Sequence, residues 1–187
     1  FDWFNAYPSD DLLDEFEAGD PRFQASFYVV GDEYAGGTIS EISLGRRAGW
    51  RKYQNYYKEA NEDLQSGINF GIIRYADVLL MMAEAANEVI DQPTAIGYIN
   101  EVRDRVSMPL LPDNLSKNEV FEAIIHERKV ELAGEQVRFA DLVRWGLASQ
   151  ELSQYGFQEG IHELLPIPEA ELNSNENINS EDQNPGY

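Results

Sequence analysis

Between His126 and Gly146 the chain reads HERKVELAGEQVRFADLVRWG, which sets Glu127, Arg128, Glu131, Glu135, Arg138, Asp141 and Arg144 inside an apolar helical periodicity. Two chemistries are worth testing on such a stretch. The opening His126-Glu127 resembles the start of a zinc-protease helix, which needs a second imidazole four residues after the first. Position 130 is valine, and the chain's other histidine, His162, lies in an extended segment. No metal site is expected. Acid–base catalysis by Glu127 with Glu131, or by Glu131 with Asp141, is the second. Against it stand the helical stripes Phe121, Ile125, Arg128, Leu132 and Val120, Ile124, Glu127, Glu131, which carry the charges onto the buried face. Arginine neighbours push carboxylate pKa values down, away from those of a general acid. A buried charge is tolerated when it is paired and hydrogen-bonded. Glu127, Arg128, Glu131, Arg138, Asp141 and Arg144 are therefore read as a structural charge network joining two helices, with no catalytic residue.

The aromatic side chains offer a different chemistry. Trp3, Tyr7, Tyr28, Tyr34, Trp50, Tyr53, Tyr56 and Tyr57 are concentrated in the first third of the chain among Asn, Asp and Gly. Sugar rings present apolar CH faces that stack on aromatic rings, so such loops suit glycan binding. Trp50, Tyr53 and Tyr34 flank the Gly-rich loop and are the candidate ligand-binding rings. The alternative is that these rings pack a loop-rich segment onto the helices. Trp145, at helical spacing from Asp141, suits an interhelix seam. The acidic pairs Asp10-Asp11, Asp14-Glu15 and Glu181-Asp182 lack an Asp-x-Asp-x-Asp-Gly loop and read as solvated surface.

The elements that must carry these residues are mainly helical. Residues 1–70 form a loop-rich, minor-β segment. In it Ser9–Ala18 is a capped short helix, QASFYVV (24–30) a β-like run after the turn at Asp20-Pro21, and Thr38–Leu44 a short strand. Residues 71–187 form the helical region, continuous with the first in one unit. Its first helix starts at Tyr75, with Tyr75, Val78, Leu79, Met82, Ala86, Val89 and Ile90 as the inward stripe. Pro93 opens a second helix that turns Ile96, Ile99, Val102 and Val106 inward. Two helices and a tight turn in this span match one tetratricopeptide-type unit, which cannot bury its own faces. Ser116-Lys117-Asn118-Glu119 is a capping box opening a third helix toward Gly134, and Arg138–Leu147 a fourth with Phe139, Leu142 and Val143 apolar. The segment after Gly156 is expected to be extended, with a single turn at Glu169–Leu172 and a docked Pro-Gly-Tyr end.

The bulk composition limits the partners. With 34 acidic and 14 basic residues in 187, the net charge is −20, which repels phosphate backbones and argues against nucleic acid. The absence of cysteine removes disulfides, thiol nucleophiles and thiolate metal sites. No apolar run approaches the ~20 residues of a membrane span. The chain opens FDWFNAYPSDD, without initiator Met, signal peptide or lipid-attachment cysteine, and is read as a fragment with any targeting signal upstream.

Taken in order, IIRYADVLLMMAEAANE (72–88), INEVRDRV (99–106), IIHERKVELAGEQVRFADLVRWG (124–146), LLPIPEAEL (164–172) and QNPGY (183–187) resemble the C-terminal half of the SusD/RagB family. DPRF (20–23) and RKY (51–53) match weaker landmarks of that family. The resemblance implies a surface-exposed outer-membrane lipoprotein of Bacteroidota-type bacteria, anchored by lipid upstream of this chain. It implies capture of glycans or other nutrients as a lid over a SusC-like TonB-dependent transporter, with tetratricopeptide-like helix pairs and a loop-rich binding part. It brings no catalytic residue and no cofactor. The alternative expectation is a helical-repeat module that binds protein without a sugar site of its own.

Overall fold

The computed structural model describes residues 6–34, 37–53, 69 and 71–187. Ser9 starts the first helix, α1 (Asp10–Glu15), by accepting a hydrogen bond from Leu12 N, with Asp10 and Asp11 in the first turn where the helix dipole favours anions. The run after Asp20-Pro21 departs from the expected strand. It is a helix, α2 (Pro21–Ser26), because the Asp20 carboxylate caps Arg22 N and Pro21 supplies a helical φ at its first position. Only Phe27–Tyr28 remains as strand β1, paired antiparallel with β4 (Gly49–Trp50). Between them β2 (Glu33–Tyr34) pairs with β3 (Gly37–Thr38), so the strand expected over Thr38–Leu44 is reduced to that two-residue pairing. Leu44 adopts a left-handed φ of 61°, which breaks any extended run there.

Three longer helices follow: α3 (Tyr75–Val89), α4 (Gln92–Arg105) and α5 (Lys117–Glu131), each packed on the other two. Asp91 caps α4 through Thr94 N, and Ser116 with Glu119 closes the capping box of α5. Leu80, Ile96, Ile99, Val102, Val120, Ile124 and Val130 are fully buried. The inward face of α3 is rotated from the expected stripe. Ala76, Leu79, Leu80, Ala83 and Ala86 are buried, whereas Tyr75, Val78, Met82, Val89 and Ile90 are exposed. Small alanines let α4 and α5 approach closely on that side.

A second cluster gathers the early elements. Leu13, Phe27, Ala48 and Ala133 are buried, with Phe16, Phe23 and Trp50 packed against them. The rings meet edge-on or tilted, Phe16–Phe27 at 5.5 Å, Phe23–Phe27 at 5.3 Å and Phe27–Trp50 at 5.1 Å between centroids, as ring quadrupoles favour.

Two compact units divide the chain, Phe1–Gln136 and Val137–Tyr187. The second holds α6 (Arg138–Arg144), α7 (Ala148–Leu152) and α8 (Glu169–Ser174). Leu142 is buried, but Phe139 is half exposed, so the expected apolar face of α6 is narrower than its sequence pattern. The polar tail is built into this unit by hydrogen bonds. Gln183 exchanges two with the Ile167 backbone, Asn184 donates to Leu165 O and Tyr187 Oη donates to Leu164 O. Gly186, at φ 88°, lies where a Cβ would come within 2.7 Å of Ile161.

Candidate functional site

Helix α5 supplies the acceptors. Glu127 and Glu131 are one turn apart on its buried side, and Glu135 follows just after it; their side chains are 1%, 2% and 5% exposed. Their partners come from outside the 126–146 stretch. Arg22, in the first turn of α2, donates to Asp20, to Glu127 and, at 3.1 Å, to Glu131. Arg103 joins Glu127 at 3.0 Å to Glu17 at 2.7 Å and donates to Pro109 O. Arg74, at the N-cap of α3, spans Glu131 and Glu135, and Arg105 closes on Glu131 at 2.8 Å. One guanidinium thus bridges two carboxylates, and one carboxylate serves several guanidiniums.

Lys52 completes the group. Its Nζ donates to Glu131 O, Ala133 O and Glu135 Oε1, so a lysine caps the C-terminal carbonyls of α5 where the helix dipole favours a cation. The Trp50 ring lies over Gly134, where a Cβ would come within 2.9 Å of Cζ3, and Gly134 sits at φ 77°. Glycine is therefore needed at 134 twice over, for conformation and for space.

Electrostatics follow the geometry. Burial raises the pKa of Glu131, but Arg74, Arg105 and Arg22 outweigh it and hold the carboxyl below its ordinary range. Glu135 is likewise lowered, burial being outweighed by Arg74 and Lys52. Burial works against the Arg22 charge, yet Asp20, Glu127 and Glu131 raise its pKa further. For Lys52, burial prevails over the attraction of Glu135 and lowers the pKa. Carboxylates held ionised and engaged on several oxygens are poorly placed to donate protons; this arrangement fixes elements to one another.

The remaining candidate charges include two further ion pairs. Arg128 donates to Asp77 at 2.8 Å within the α3–α5 pair. Asp141 is buried in the second unit, accepts from Arg144 at 2.9 Å, and Arg138 opens the same helix. Arg144 also stacks on Trp145, 4.6 Å from the ring centroid. Sequence reasoning did not name Arg22, Arg74, Arg103, Arg105 or Lys52 as network partners. The available signal was weak: Arg103 continues the inward spacing Ile96, Ile99, 103, and Arg22 and Lys52 lie in the DPRF and RKY landmarks.

The candidate rings differ in setting. Tyr34, on β2, is 45% exposed, and Tyr53 is 37% exposed. Tyr53 follows Lys52 with a left-handed φ of 64°, and burial with the Glu135 charge raises its phenol pKa. Trp50 is half-buried, packed on Phe27 and Gly134. Tyr28 is buried beneath the Arg51 guanidinium, and Tyr7 lies under Arg46. Trp3, Tyr56 and Tyr57 lie outside the described residues. Among the described residues no helix is long and apolar enough to cross a membrane.

The architecture is a mainly helical scaffold, with buried ion pairs joining its helices and tyrosines on its short strands and turns. The chain belongs to the SusD family, whose model matches residues 4–187. It is 30% identical to SusD-like protein P2 of Formosa agariphila, in an alignment covering 99% of this chain and 41% of that protein. The crystal structure of a SusD superfamily protein from Bacteroides vulgatus superposes with a TM-score of 0.83 at 32% identity, covering 99% of this chain and 45% of the other. A laminarin-binding SusD-like protein superposes at 0.72 with 36% identity, covering 96% and 38%. The chain thus spans less than half the length of these relatives.

Proposed function

We propose that this chain forms the C-terminal portion of a non-catalytic, surface-exposed outer-membrane lipoprotein that captures glycans for import through a SusC-like TonB-dependent transporter. The observation that carries the glycan reading is the 36% identity, over 96% of this chain, to a laminarin-binding SusD-like protein. The buried network of Arg22, Arg74, Arg103, Glu127, Glu131 and Glu135 is then a framework that holds the early loops on the helices. On this reading Tyr34, Tyr53 and the open part of the half-buried Trp50 offer ring surface to a sugar. Isothermal calorimetry against laminarin oligosaccharides and a panel of other glycans tests the assignment, using Tyr34→Ala, Tyr53→Ala, Trp50→Ala and the triple variant of the full-length protein. Weakened binding in the folded variants is expected. Unchanged affinity for a glycan that the parent binds would overturn the assignment of these rings.

A second reading is favoured by the exposed apolar stripe Tyr75, Val78, Met82 and Val89 on α3. It is a helical-repeat module that engages protein, chiefly the transporter, without a sugar site of its own. Co-purification with the transporter, with no retention on any polysaccharide gel, would favour it over glycan capture.

A further inference from the structure

Resting on the reading above, that this chain is the C-terminal portion of a longer protein, we infer that the outer face of α3 is a seam filled permanently by an apolar helix from the rest of that protein. The exposed residues of α3 are Tyr75, Val78, Met81, Met82, Ala85 and Val89, joined by a single charge, Glu88, which pairs with Lys117 of α5. Tyr75, Val78, Met82, Ala85 and Val89 follow one another at steps of three, four, three and four residues. That alternation is the a/d spacing by which one helix receives the side chains of another. At a rise of about 1.5 Å per residue the seam runs about 21 Å along the helix. Ile72 and Ile73, 84% and 65% exposed, lengthen the apolar patch before α3, and Ile90 lengthens it beyond.

The neighbouring helices meet solvent in a different way. α4 turns Glu101, Asp104 and Arg105 outward near its end, and α5 exposes Lys117, Asn118, Glu119 and Glu122. Their outer faces are polar, as water requires. On α3 the opposite side is already used, with Leu79, Leu80, Ala83 and Ala86 buried where α4 and α5 pack. A helix that is apolar on both sides belongs in an interior.

Length supplies the occupant. The matched part is 41% of SusD-like protein P2 and 45% of the Bacteroides vulgatus structure, so more than half of each lies outside it. The chemistry of the seam separates such an occupant from a partner that comes and goes. Reversible interfaces are about as polar as the rest of a protein's surface, whereas permanent ones resemble a core cut in half. With no charge at any a or d position, this seam is of the second kind. A sugar fits it poorly, since aliphatic and thioether side chains leave hydroxyl groups without hydrogen-bond partners.

Thiol accessibility tests the seam in the full-length protein, because this chain contains no cysteine. With any cysteine outside the chain replaced by serine, Met82→Cys puts a thiol in the seam and Glu122→Cys puts one on the polar face of α5. In the monomeric full-length protein, without the transporter, a maleimide should label position 82 at least about a hundredfold more slowly than position 122, the protection of a site that must open locally to react. Similar rates at the two positions would overturn the inference. Protection that arises only when the transporter is added assigns the face to that partner, and protection that grows with protein concentration assigns it to a second copy; either outcome also overturns it. The unsubstituted protein gives an independent reading. Of the three methionines, Met108 is buried and Met82 is 42% exposed in this chain. Under peroxide the full-length protein should oxidise Met82 as slowly as Met108, and rapid oxidation of Met82 alone among these two refutes the seam. An intact mass no greater than that of this chain would overturn the reading of a longer protein and the seam with it, whereas a longer protein freely labelled at position 82 overturns the seam alone.

Discussion

Replacing Glu127 removes the acceptor that joins Arg22 of α2 to Arg103 of α4 through α5. All three side chains are nearly inaccessible, at 1%, 7% and 4% exposure, so solvent cannot readily take the carboxylate's place. Two charge-assisted hydrogen bonds are lost, each worth about 1.5–3 kcal/mol. The guanidiniums are not wholly abandoned, since Arg22 keeps Asp20 and Glu131 and Arg103 keeps Glu17. The expected cost of Glu127→Ala is accordingly about 3–5 kcal/mol, the range for breaking a buried pair from one side. Glu127→Gln preserves the shape, but its NH2 must face one of the two arginines, so a cost of about 3 kcal/mol is expected. Glu88→Gln is the control: the Glu88–Lys117 pair is 57% and 49% exposed, and its loss should change stability by no more than about 0.5 kcal/mol. Urea unfolding measures each as a shift in midpoint at unchanged slope. A Glu127→Gln protein within about 1 kcal/mol of wild type would refute the reasoning, because a buried, doubly engaged carboxylate cannot be lost that cheaply.

Other perturbations probe the same framework. Glu15, Glu17, Glu131 and Glu135 are all held below their ordinary pKa range, so the folded state binds their protons less tightly than the unfolded chain. Their contribution is present above the unfolded carboxylate value of about 4.3 and is lost as pH falls through the lower folded values; urea midpoints should drop steeply below about pH 4, and a rise on acidification from about pH 5 to 3 would contradict the pairing. Gly134→Ala should cost about 2–4 kcal/mol, from the left-handed φ and the displacement of Trp50, with an accompanying change in tryptophan fluorescence. Gly97→Ala is its opposite: Gly97 is within α4, a Cβ there meets nothing within 4 Å, and the same unfolding assay should show stabilisation of about 0.5–1 kcal/mol.

Much of the helical region was legible because its signals are local. The capping box at Ser116–Glu119, Pro93 in the first turn of α4 and the apolar spacing of Ile96, Ile99 and Val102 each depend on neighbours within a few residues. The run 24–30 misled because Phe, Tyr and Val favour strands, whereas Asp20 and Pro21 had already committed the backbone to a helix through Ser26. On α3 the pattern offered apolar residues on nearly every side, and spacing alone does not choose between the large stripe and the alanine stripe. Packing chose the latter, since alanines admit close approach by α4 and α5.

The charged stretch shows the same limit from the side of chemistry. Burial of Glu127, Arg128 and Glu131 could be read from their place on apolar stripes, because periodicity reports which face is covered. Their partners could not, because Arg22, Arg74 and Asp77 are 105, 57 and 51 residues away in sequence from Glu127, Glu131 and Arg128 respectively. Pairing at such separation is a property of topology, and no local spacing encodes it. A hydrophobic contact tolerates sliding, but a guanidinium bridging two carboxylates at 2.6–2.8 Å, as Arg74 does between Glu131 and Glu135, fixes distance and orientation together. The network therefore specifies where the loop-rich segment sits on the helices, even though an apolar core of the same volume could match its contribution to stability. Tyr53, beside Lys52 and the Glu135 charge, inherits that fixed position.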